Sequence, residues 1–151
     1  MQSIAEFIQR QLIKVNKPSQ YIAHEMNMVR KDWAAVKAKV CLVYPDRYEI
    51  GMSNLALQIF YDVINRKSEH VLERCFLPDS DMEELLKEKQ VSLFSLESNK
   101  ALKDFDALAF SFSTELSFTN ALLALDLSFI PLTAKERLKD ALKLIRFDKK
   151  G

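Results

Sequence analysis

The residues best suited to chemistry in this 151-residue chain lie in one run, Pro45-Asp46-Arg47-Tyr48-Glu49-Ile50-Gly51-Met52-Ser53. It contains two carboxylates, a phenol between them, a thioether, a hydroxyl and an internal glycine. Asp46 and Glu49 can act as an acid–base pair. Carboxylates at a turn and a helix start serve capping and the helix dipole equally well. Gly51 is one of two glycines, the other being the terminal Gly151, against an average usage of about 7%. A position that avoids a Cβ fits close approach of a ligand or a tight turn into a helix. Ser111 and Ser113 follow a second apolar run, where they could hydrogen-bond a nucleotide tail or finish a strand and cap. Glu115, near the same strand end, has the two readings of Asp46 and Glu49, acid–base chemistry or capping. His24 and His70 have no converging acidic or cysteine ligands, so they read as ordinary packing or surface histidines rather than a metal site.

The rest of the composition excludes several classes. Twenty-two basic and 21 acidic side chains balance, whereas nucleic-acid binders gather a basic excess on one face. With two glycines, neither GxGxxG nor GxxxxGK[ST] can be written, which excludes a Walker-type NTPase and the ordinary dinucleotide fingerprint. Cys41 and Cys75 read as small core hydrophobes rather than a disulfide. The N-terminus lacks the apolar stretch of a signal peptide, and no run approaches the roughly 18 to 20 apolar residues of a membrane span. The expectation is a cytoplasmic protein with neither nucleic acid nor membrane as partner.

The elements that must position these residues follow from periodicity. Residues 3–15 predict an amphipathic helix with a Ser3/Glu6 capping box and Ile4, Ile8, Leu12 and Val15 on one stripe. Val40–Tyr44 is an apolar run closed by Pro45, as in a strand covered on both faces. A loop from Asp46 to Met52 is predicted next. Ser53 then caps a helix to about Asn65, with Leu55, Ile59, Phe60 and Val63 turned inward. Val71–Leu77 predicts a strand, Ser80 and Glu83 open a helix to about Lys89, and Val91–Leu96 predicts a short strand. Ala107–Phe112 is a further buried strand, followed by a helix over Glu115–Leu127. Thr133 and Glu136 start a last helix with Leu138, Leu142 and Ile145 on one face. Phe105, Phe110, Phe112 and Phe118 read as core. Alternating strands and helices predict an α/β three-layer sandwich on a small, mostly parallel sheet. It divides into an N-terminal helical extension, 1–36, and an α/β domain, 37–147. In such sheets ligands bind beyond the carboxyl ends of the strands, here Pro45–Ser53, Leu77–Asp81 and Ser111–Glu115.

Asp46-x-Tyr48-x-x-Gly51 occupies the place where cobalamin-binding domains carry D-x-H-x-x-G. With it come the blocks KPSQYIAHEMNMVRKDW, YPDRYEIGMSNLALQIFYDVIN, ERCFLPDSDMEELL and LFSLESNKALKDFDALAFSFSTELSFTNALLALDLSFIPL. In order and spacing, roughly residues 17 to 137 resemble the N-terminal region of cobalamin-binding-type radical SAM proteins. The resemblance implies a cobalamin-binding or flavodoxin-like, incomplete Rossmann-like fold. It implies cobalamin as the cofactor, contacted by Asp46, Tyr48, Glu49, Gly51, Met52, Ser53, Ser111 and Ser113.

Two departures qualify that expectation. Tyr48 replaces the ligating histidine, and a phenol with an unperturbed pKa of about 10 is a poor cobalt ligand. Tyr48 would then pack under the corrin or leave its lower face open. The family also continues into a paired-glycine strand and the radical SAM barrel, where this chain ends in KLIRFDKKG. S-adenosylmethionine and the iron–sulfur cluster belong to that full-length family, because the cluster needs a CxxxCxxC triplet and the chain has two cysteines.

The expected function is therefore a binding module without catalysis of its own. The alternative is a scaffold that self-associates, or docks to a separately encoded remainder of the radical SAM protein, through Ala107–Phe112 at or near a sheet edge. A small enzyme built on Asp46, Glu49 and Glu115 comes third.

Overall fold

The computed structural model describes residues 3–67, 69–137 and 143–148, the last of these as backbone. Ser3 accepts from the Glu6 amide while Glu6 accepts from the Ser3 amide, and this capping box starts α1, Ile4–Gln11. Phe7, Ile8 and Val15 are buried in the same core as the sheet. Four parallel strands follow: β1 (Ala38–Arg47), β2 (His70–Leu77), β3 (Ala107–Phe112) and β4 (Lys143–Asp148), in the order β2-β1-β3-β4. Among them lie α2 (Tyr48–Met52), α3 (Leu55–Asn65), α4 (Ser80–Lys89), α5 (Ser117–Leu127) and α6 (Ala134–Arg137).

The chain moves one way from β1 to β2 and the other way from β2 to β3 and β4. Right-handed crossovers must then put the first helix on one face and the later helices on the other. The two cores show this. One packs α3 through Leu57 and Tyr61 on Leu42, Tyr44, Leu72 and Phe76. The other packs α1, α4 and α5 on Cys41, Val43, Cys75, Leu108 and Phe110. The result is the predicted α/β three-layer sandwich, with the strand order of a flavodoxin-like sheet.

Several expectations change. The predicted loop 46–52 is the end of β1 and a short helix. Pro45 and Asp46 form a bulge between the pairs Tyr44–Phe76 and Arg47–Leu77, where a proline's missing N–H is tolerated. Asn54, not Ser53, caps α3 by accepting from the Leu57 amide; the Ser53 hydroxyl donates to the Ile50 carbonyl.

The phase of α3 is also opposite to the predicted one. Leu55, Ile59 and Val63 are 72%, 53% and 52% exposed and Phe60 lies on the exposed side, while Leu57, Tyr61 and Asn65 face the sheet. Polar contacts set that phase: Asn65 brackets Leu72 through both its backbone groups, and the Tyr61 hydroxyl accepts from the Val29 amide. α4 begins after Asp79 rather than through a Ser80 cap.

Val91–Leu96 is no strand; it makes one antiparallel bridge, Phe94 to Ala101, because its amides go elsewhere, Leu93 to the Leu127 carbonyl and Leu96 to the Arg74 carbonyl. Thr133 and Glu136 do pair, and the described part of α6 is Ala134–Arg137, while Ile145 lies in β4. Leu138 and Leu142 lie outside the described residues. Ala107–Phe112 lies one strand in from the edge, between β1 and β4. Phe105 and Phe110 are core as predicted, Phe112 is partly buried, and Phe118 is 41% exposed and stacks on Phe112 at 4.7 Å.

Candidate functional site

The carboxyl ends of β1 and β2 are covered by the chain's own residues 16–21. The Asn16 amide donates to Asp81 at 2.7 Å, and Lys17 and Gln20 donate to Glu49 at 2.6 and 2.8 Å. Tyr21 accepts from the Asp79 amide, and Asp79 also lies 3.5 Å from Arg47 and 3.8 Å from Lys17. Lys17 holds the Glu49 carboxyl below its usual range. Glu49 is thus a tether for the N-terminal segment, and Asp46 accepts from the neighbouring Arg47 amide. Their side chains are occupied separately, and nothing aims them at a common reacting atom.

Gly51 answers neither expectation. Its φ is not left-handed, and it sits inside α2. A Cβ there would lie 2.3 Å from Phe76 Cε1 and 3.1 Å from Tyr44 Cδ1. The missing side chain lets α2 close on the rings at the end of the sheet, so its space is filled by protein.

Tyr48 turns the same way. Its ring meets Phe76 edge-on at 5.5 Å, and its hydroxyl donates to Glu25 Oε1 at 2.6 Å. Desolvation, reinforced by Glu25, pushes the phenol up to about 12. A neutral phenol engaged with a carboxylate is no axial ligand for cobalt, and the space at Gly51 is no cradle. The residues of the D-x-Y-x-x-G run therefore do not fit the lower face of a corrin.

Beneath Tyr48 lies a group of charges that sequence reasoning passed over. Arg74, on β2, is 2% exposed. Its Nε donates to Glu97 Oε1 at 2.7 Å, its guanidinium lies 4.1 Å from the Tyr61 ring centre, and Nη1 is 3.4 Å from Met52 Sδ. Nη2 is 3.8 Å from Glu25 Oε2, and neither atom has a hydrogen-bond partner among the described residues. On the other side of β2, Glu73 accepts from Trp33 Nε1 and from Ser98. The signal was available: Glu-Arg at the centre of the apolar run VLERCFL is tolerated in a covered strand only when both charges are partnered.

The strand order reverses between β1 and β3, which is where open α/β sheets place ligands. Asn120 of α5 donates to the Pro45 carbonyl there at 3.0 Å. Ser111 is half-buried and Ser113 exposed at the end of β3. The expected site residues thus divide: Tyr48 and Met52 join the Arg74 group, Glu49 joins the covering segment, and Ser111 and Ser113 stand apart. Ser53 only closes the turn before α3. Among the described residues no cluster of His, Cys, Asp or Glu could hold a metal, and no helix is long and apolar enough to cross a membrane.

Fold and site together define a doubly wound parallel α/β module. A family model described as radical SAM proteins, N-terminal, matches residues 56–145, more than half of the chain, and the chain belongs to that family. The match begins after the D-x-Y-x-x-G run and includes Ser111 and Ser113. No curated protein and no solved structure matches.

Proposed function

We propose that this chain is a non-catalytic N-terminal module that seats on the radical SAM portion of its protein through the outer face of α3. The observation that carries the reading is the exposed stripe Leu55, Ile59 and Val63, one turn apart, opposite a face already buried by Leu57 and Tyr61. A helix apolar on both sides is a helix covered on both sides. Chemistry would come from the partner: Cys41 and Cys75 are buried in the sheet layer, and burial pushes the Cys41 thiol well up, away from the thiolate that a cluster needs.

Ile59→Glu tests the docking. At an exposed position it is expected to change stability by no more than about 0.5 kcal/mol, yet to weaken binding to the separately produced radical SAM portion at least tenfold by calorimetry. Equal binding by both forms, or none by the wild type, overturns the reading.

Tyr48, held neutral on Glu25, is a poor lower ligand for cobalamin, which favours docking over cofactor chemistry for this module. Titration with hydroxocobalamin is expected to leave the corrin absorption bands unshifted at high micromolar protein. A shift that disappears in Tyr48→Phe would return the cofactor to this site.

A further inference from the structure

We draw no further inference here: the strongest candidate, the cleft beside the β2 border lined by Arg30, Lys31, Glu73, Glu97, Ser98 and Asn99, carries none, because its two carboxylates already accept from Arg74, Trp33 and Ser98 and, among the described residues, none of its lining side chains holds a buried polar atom without a partner.

Discussion

Arg74→Ala is expected to destabilise the protein by about 3–5 kcal/mol, because it leaves Glu97 as an uncompensated buried charge. Glu97 is fully buried, and Arg74 supplies a side-chain donor to one of its oxygens and an amide to the other. A domain of this kind has about 5–15 kcal/mol in total, so the variant should lose a large share of its urea midpoint. The loss arises mainly from the charge left behind, and Arg74→Met/Glu97→Gln should therefore recover more than half of it. The glutamine still accepts from the Arg74-position amide, which would otherwise be orphaned at about 1–3 kcal/mol. A single-variant loss below about 1 kcal/mol would show that the cluster is solvated and that the pair holds nothing together.

Gly51→Ala is expected to cost about 1–2 kcal/mol, the reverse of what an exposed helical glycine would give. Alanine in a helix gains up to about 1 kcal/mol over glycine. Here its Cβ would lie 2.3 Å from the Phe76 ring, and that ring is buried among Leu57, Tyr61 and Leu72. Overpacking of this sort costs about 1–3 kcal/mol. Phe76→Leu in the same chain should relieve the clash, so that the double variant loses less than the sum of the singles. A stabilised Gly51→Ala would show that α2 does not close on the sheet end as described.

These two residues also mark how far the sequence can be read. Gly51 stood out by rarity alone, and rarity located a place where a Cβ is excluded. It could not tell what fills the space, because Phe76 and Gly51 meet only once β2 lies beside β1. Arg74 carried a signal of a different kind, a charge in an apolar strand. Its partners come from four segments spread over residues 25 to 97, and no local spacing connects them. The phase of α3 was misread for a related reason. Leu55, Ile59 and Val63 make as good an apolar stripe as Leu57, Tyr61 and Ile64, and a helix apolar around its circumference does not reveal which side meets the sheet.

The sequence by itself determined the class of fold. Apolar runs at 40–44, 71–77 and 107–112, separated by helix-length segments, permit parallel strands with right-handed crossovers and little else. It determined the N-terminal capping box as well, since Ser3 and Glu6 act within one turn of chain. Tertiary structure alone decided that Tyr48 turns to Glu25 rather than to the strand ends, that residues 16–21 cover those ends, and that 94–101 closes the β2 edge. Each depends on contacts between residues tens of positions apart, formed by desolvation and by pairing of buried polar groups. That is also why the run Pro45–Ser53, first noticed for its residue types, proved to be a joint between the sheet, its covering segment and α2.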